Sequence, residues 1–188
     1  EPVPMTLSDL QAIGAVLQGH FLLTSGRHSE VYFEKFRLLE RPALLGQAVA
    51  QMLAQLGAVE VAAVVGPTLG GVLVAYETAR QLGVPALYAE REGETRAFRR
   101  GYPLPSGAPV LLVDDVLTTG TSLREVLVLL ERVRARPVAI GVLIDRSETP
   151  PDFGLPLVSA LRLPAQTYDP AKCPLCRQGI PLQKRGSR

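Results

Sequence analysis

Two adjacent carboxylates followed by hydroxyl groups around one glycine are the residues of this chain best suited to chemistry: Val110-Leu-Leu-Val-Asp-Asp-Val-Leu-Thr-Thr-Gly-Thr-Ser122. Residues 109–113 have the length and branched content of a buried strand. Asp114 and Asp115 close that strand, and from Ser122 onward apolar residues recur at helical spacing. Strand, acidic pair, turn and helix start, in that order, build a phosphate cradle. The backbone N–H groups of 117–122 can point into the turn, and the helix N-terminus adds partial positive charge. Gly120 permits unusual backbone angles, and the threonine hydroxyls can donate to phosphate oxygens. The aspartates would repel a phosphate; they suit the vicinal hydroxyls of a sugar, or a hydrated magnesium ion. Two other nucleotide loops are excluded. No lysine follows Gly120 as a P-loop requires, and no Gly-x-Gly-x-x-Gly follows the first strand. A plain polar turn, with Thr121 or Ser122 capping the helix, is the remaining alternative.

The elements that must position this turn follow from the rest of the chain. At 188 residues with 47% hydrophobic content, the sequence suits one globular domain, and no apolar run reaches the length of a membrane span. The beginning of the chain lacks the basic-then-apolar order of a signal peptide, which favours a cytoplasmic protein. A net charge of +2 is too small to argue for nucleic acid. Apolar spacing predicts a helix over 6–17 capped by Thr6 or Ser8, short strands and turns over 20–39, and a helix from Pro42 to residue 56 stopped by Gly57. Strands at 61–65, 85–90, 110–113 and 138–144 then alternate with helices at 70–82 and 122–134, with a loop over 91–107. This alternation predicts a mostly parallel sheet with helices on both faces. Ligands bind such sheets beyond the carboxyl ends of the strands.

Three more segments should converge there. Gly66-Pro-Thr-Leu-Gly-Gly71 leaves backbone amides accessible for a second phosphate group such as pyrophosphate, although glycine turns also serve simply to pack a helix on its strand. Residues 90–101 carry Arg91, Arg96, Arg99 and Arg100, a density that suits a mobile loop closing over an anionic leaving group, although a solvated charged surface also accounts for the composition. Asp145-Arg146 ends a strand; arginine suits bidentate capture of a carboxylate, and a simple surface ion pair is the alternative. Cys173-Pro-Leu-Cys176 has the spacing of half a zinc ribbon. With His20 and His28 remote in sequence, it reads as a reduced pair in a C-terminal tail; a metal site shared across a dimer, or a disulfide, is the alternative.

The thirteen-residue string resembles the phosphoribosyl pyrophosphate (PRPP) signature of type I phosphoribosyltransferases. Together with His20-Phe-Leu-Leu-Thr-Ser-Gly-Arg-His-Ser-Glu-Val-Tyr-Phe33, the 66–71 turn and Ile144-Asp-Arg146, the chain resembles the orotate phosphoribosyltransferases over roughly residues 18–180. The resemblance implies a single phosphoribosyltransferase domain over 1–188, with a twisted, mostly parallel sheet. A small hood would be built from residues 1–40 and the C-terminal tail. It implies transfer of the phosphoribosyl group from PRPP to N1 of orotate, giving orotidine 5′-monophosphate and pyrophosphate, with Mg²⁺ held through PRPP and water and not directly by the protein. Thr68, Gly70, Arg91, Asp114, Asp115, Val116, Leu117, Thr118, Thr119, Gly120, Thr121 and Ser122 would bind PRPP. Tyr32, Phe33, Thr118 and Arg146 would hold orotate, and Arg91, Arg96, Asp114 and Asp115 would be catalytic. The mobile loop would reach across a homodimer. The chain departs from the family in having arginines where that loop commonly has lysines, and Gly70 where the pyrophosphate loop often has one. A transferase for another base, and a non-catalytic PRPP-sensing regulator, are the alternatives. Arg146 speaks against the first, and the absence of a basic face against the second.

Overall fold

The structure is a computed structural model and describes residues 3–185. The chain opens with α1 (Leu7–Ala12), capped reciprocally by Thr6 and Asp9, whose side chains each accept the other's backbone N–H. This helix is shorter than the expected 6–17: Gly14 turns the chain at φ +73°, and Val16–Leu22 is strand β1. After β2 (His28–Phe33) come the one-turn α2 (Phe36–Leu39) and α3 (Pro42–Leu56), which starts at its proline and stops at Gly57 as expected. Then follow β3 (Ala63–Pro67), α4 (Gly70–Leu82), β4 (Ala86–Glu92), β5 (Thr95–Ala97), β6 (Pro109–Leu117), α5 (Thr121–Arg132) and β7 (Arg136–Asp145). The chain finishes with β8 (Leu157–Arg162), β9 (Thr167–Tyr168), a short 3-10 turn, α6 (Pro174–Arg177) and β10 (Gln183–Lys184). None of the described helices is long and apolar enough to cross a membrane.

The main sheet has six strands in the order β5-β4-β3-β6-β7-β8, all parallel except β5, which folds back on β4 as a hairpin. Residues 91–107 are therefore not all loop. Alternation along β6 sends Leu111 and Val113 to a core shared with α3 and α4, and Val110 and Leu112 to a core shared with α5. That two-sided burial explains the continuous apolar run. β3 and β6 are neighbours, yet the chain leaves β3 toward β4 on one side and returns as β6 on the other. The turns after β3 and β6 thus flank a topological switch point, where open parallel sheets bind ligands.

A second sheet, in the order β10-β1-β2-β9, is assembled from both ends of the chain. β1 and β2 are antiparallel, β9 is antiparallel to β2, and β10 runs parallel to β1. The Cys173–Cys176 turn consequently lies against this sheet. The cysteines are not remote from His20 and His28; the four side chains meet, because β9 carries the chain back beside β2 just before the turn begins.

Candidate active site

β6 runs four residues beyond the expected strand, through Asp114 and Asp115 to Leu117, because it keeps pairing with β7 to Leu117↔Asp145. The carboxylates therefore sit within the strand, both buried. Each is oriented by accepting the next residue's N–H, Asp115 N–H to Asp114 Oδ1 at 2.8 Å and Val116 N–H to Asp115 Oδ1 at 2.6 Å. Burial, then the neighbouring Asp115 charge, push the Asp114 carboxyl up to about 8. Asp115 Oδ2 is buried with no hydrogen-bond donor in line with it. A cation does approach it: Lys35 Nζ lies 2.8 Å away as a salt bridge. Lys35, two positions beyond the Tyr32-Phe33 pair, is a candidate site residue that no sequence motif marks.

The turn after β6 lines a cavity of about 80 Å³ formed by Asp114, Val116, Thr118, Thr119 and Gly120 with the first residues of α5. α5 begins at Thr121 with Gly120 at its N-cap, and no side chain caps it, so the expected alternative of a Thr121 or Ser122 cap does not hold. Its first N–H groups are left for an anion. Gly120 has φ +81°, and a Cβ there would come within 2.7 Å of the Phe153 ring. Leu117 is the exception in this turn: its side chain is buried in the α5 core, so it can contribute backbone alone. A larger hollow of about 160 Å³ lies between the β5 hairpin and α5; it holds neither the carboxylates nor the hydroxyl turn.

Across the switch point, the 66–71 turn contains a cis peptide between Thr68 and Leu69. Gly70 and Gly71 open α4 against the carboxylates: a Cβ at Gly70 would run into Asp115, and one at Gly71 would reach 3.0 Å from Asp114 Oδ1. Any side chain at position 70 would therefore require the Asp115 carboxylate to shift.

The two loop arginines separate. Arg96 is buried and held by the protein: its Nε donates to Glu125 at 2.9 Å, and Nη1 donates to the Thr68 and Ala89 carbonyls at 3.2 and 3.3 Å. It braces the 66–71 turn from behind, contrary to the expectation that it reaches the reacting atoms, because the β4–β5 hairpin faces it inward. Arg91 is exposed and rests on Glu125 at 3.1 Å.

At the other flank, Asp145 pairs with Arg162 at 3.4 Å and accepts from Ser147, so it does not pair with Arg146. The Arg146 backbone N–H donates to Leu117 O at 2.8 Å, which sets the residue beside the turn after β6. Its guanidinium makes one long contact, 3.5 Å to the Val31 carbonyl, and no ion pair among the described residues. Desolvation holds its pKa below the usual arginine value. Tyr32 and Phe33 point to opposite faces of β2. Phe33 is buried in the core with Leu38 and Leu39, whereas half-buried Tyr32 packs on Phe21, next in sequence to the Val31 carbonyl that Arg146 contacts. Of the expected aromatic pair, the structure leaves Tyr32 facing the site.

Residues 38–152 match the phosphoribosyl transferase domain family. The chain is 46% identical over 182 residues to the orotate phosphoribosyltransferase of Thermotoga maritima, covering 95% of this chain and 96% of that protein. It is 39% identical to the orotate phosphoribosyltransferase of Caldanaerobacter subterraneus, covering 97% and 96%. Among solved structures, it is similar to the orotate phosphoribosyltransferase of Aeropyrum pernix at 34% identity and a TM-score of 0.73, over 85% of this chain and 94% of that one. A switch-point crevice with an uncapped helix, together with these near-complete alignments, leads to one conclusion: the chain belongs to the orotate phosphoribosyltransferase family of transferases.

Proposed function

We propose that the chain transfers the 5-phosphoribosyl group of PRPP to N1 of orotate, releasing pyrophosphate and forming orotidine 5′-monophosphate in pyrimidine biosynthesis. The observation that carries the choice of base is Arg146, a half-buried guanidinium beside the phosphate turn with no carboxylate partner among the described residues. The orotate carboxylate supplies the missing counter-charge. Uracil or a purine would leave the cation desolvated and unpaired.

In this reading the chain acts as one phosphoribosyltransferase domain in the cytoplasm. The N-terminus of α5 and the Thr118, Thr119 and Thr121 hydroxyls hold the 5′-phosphate, the 66–71 amides hold pyrophosphate, and Asp114 and Asp115 accept from the ribose hydroxyls. Asp115 Oδ2 fits this role once Lys35 gives way, and it equally fits a water of a hydrated Mg²⁺ carried by PRPP. Magnesium, when bound, would neutralise pyrophosphate charge. Rate enhancement then comes from positioning and from cations at the departing oxygen, and a guanidinium suffices for that. Arg91 is the cation free to do so, by leaving Glu125. We assign its target to the neighbouring subunit of a homodimer, and Arg96 to holding Thr68 in place.

The test is to combine protein, PRPP and Mg²⁺ with orotate, uracil, adenine, guanine or hypoxanthine in turn and follow the base's ultraviolet absorbance. Orotate alone should be consumed. Turnover of another base instead, or of none, overturns the reading. Loop sharing is tested by mixing Arg91→Ala with Asp115→Asn and allowing subunit exchange. Random mixing leaves one intact site in about half the dimers, so activity should recover toward roughly a quarter of wild type.

A further inference from the structure

We propose that His20, His28, Cys173 and Cys176 form a structural zinc site that fastens the C-terminal turn onto the four-stranded sheet. The candidate ligand atoms, one from each residue, all lie within 4.8 Å of one another. His20 Nε2 is 3.0 Å from His28 Nδ1, Cys173 Sγ is 3.5 Å from His20 Nε2, and Cys176 Sγ is 3.7 and 3.4 Å from the two nitrogens. Zinc bond lengths of about 2.0–2.1 Å to nitrogen and 2.3 Å to sulfur require tetrahedral edges of roughly 3.4 Å for N–N and 3.6 Å for N–S. These four separations stand within a few tenths of an ångström of those edges, and the widest pair of the set, at up to 4.8 Å, would have to draw in by about 1 Å on binding.

The fold explains why the donors meet. Leu22 pairs with His28 across β1 and β2, so His20 is the diagonal, same-face neighbour of His28. Cys173 precedes the single turn of α6 and Cys176 lies within it, a three-residue spacing that brings both sulfurs to one side. His20 Nδ1 lies 2.7 Å from the Ile180 carbonyl. That bond requires Nδ1 to carry the proton and leaves the Nε2 lone pair facing the cluster, the backbone support that metal-bound histidines typically have. Both cysteines are free thiols, and both histidines and Cys173 are buried. Two imidazoles and two sulfurs, with no carboxylate among them, close a four-coordinate set of the kind that selects zinc and leaves no open position for catalysis. Binding would displace the two thiol protons. All four residues lie outside the 38–152 family match, and the site stands whether or not orotate is the substrate.

The experiment uses the whole protein, purified under reducing conditions without chelator. Metal analysis should find about one zinc per chain. Protein stripped with chelator in denaturant and refolded should take up one Co²⁺ per chain, with the visible bands of a tetrahedral ion and the near-ultraviolet charge transfer of cobalt–thiolate bonds. Zinc should restore a melting temperature lowered by about 10 °C in the stripped protein. The double variant Cys173→Ser/Cys176→Ser should lose the cobalt spectrum and the zinc-dependent shift. If that variant does not fold, the wild-type cobalt titration decides alone. Substoichiometric zinc without a saturable cobalt spectrum overturns the site, and so does a Cys173–Cys176 disulfide in the purified protein.

Discussion

The crevice over the six-stranded sheet and the four-stranded sheet beside it differ in how far along the chain their partners lie. In the crevice, each binding turn follows its own strand directly: 68–70 after β3, 118–120 after β6. In the smaller sheet, β1 joins β10 and β2 joins β9, and Arg27 reaches across 140 residues to hold the Thr167 hydroxyl at 2.8 Å. The proposed phosphate sites are thus local to strand–turn–helix units, while the strand beside Arg146 depends on distant parts of the chain. The proposed division of substrates follows the same line, with PRPP on the local side and the base at the boundary.

Substitutions on either side should separate those substrates. The largest effect is expected at Gly70→Ala, whose methyl group meets the Asp115 carboxylate. Displacing that carboxylate should lower kcat/KM for PRPP on the order of a thousandfold. An unchanged value would remove the carboxylate from the PRPP site. Arg146→Ala comes next. Losing a charge-assisted contact of about 2–4 kcal/mol should raise the KM for orotate far more than that for PRPP. Equal effects on both would erase the proposed boundary.

Arg96→Ala strips buried partners from Glu125 and from the Thr68 and Ala89 carbonyls, and should destabilise the fold by about 2–3 kcal/mol. Arg91→Ala should lower activity without moving the melting temperature. If the two behave alike, the distinction between brace and loop cation is lost.

Asp114→Asn should raise stability while lowering activity. The folded pKa of about 8 lies above the ordinary 3.8, so the protonated carboxyl favours the folded state. That contribution is complete below pH 4 and is lost as pH rises toward 8. Melting curves of the free protein should show the Asn variant gaining on wild type across this window, by a few degrees at pH 8. A constant difference would contradict the buried-charge account. The smallest effect belongs to Arg27→Ala on the exposed edge, less than about 1 kcal/mol, visible as a slight rise in the KM for orotate.

Much of the crevice can be read from the sequence for the same reason that it is local. The order of strand, acids, hydroxyls and glycine in 110–122 is itself the structure, and Gly57 and Pro42 bound α3 by their own backbone preferences. What cannot be read there depends on distance along the chain. The end of β6 is set by its pairing with β7, the fate of Arg96 by which way the hairpin faces, and the choice between Tyr32 and Phe33 by the register of β2. Lys35 carries no motif and becomes legible when the chain folds it onto Asp115. His20 and His28 read as isolated for a similar reason, since their neighbours arrive with β9 and α6.

The pairing of β1 with β10 and of β2 with β9 also fixes an order of events during synthesis. The chain leaves the ribosome from its N-terminus, so β1 and β2 emerge first as a lone hairpin, which is marginal in water. They wait for roughly 130 residues more before β9 can close beside them, a long-range contact of the slow-forming kind. A nascent chain that has reached β8 holds every strand of the main sheet, while the strand next to Arg146 is still open along its edge. In a growing molecule, then, the capacity to hold phosphate is expected to precede the capacity to discriminate between bases.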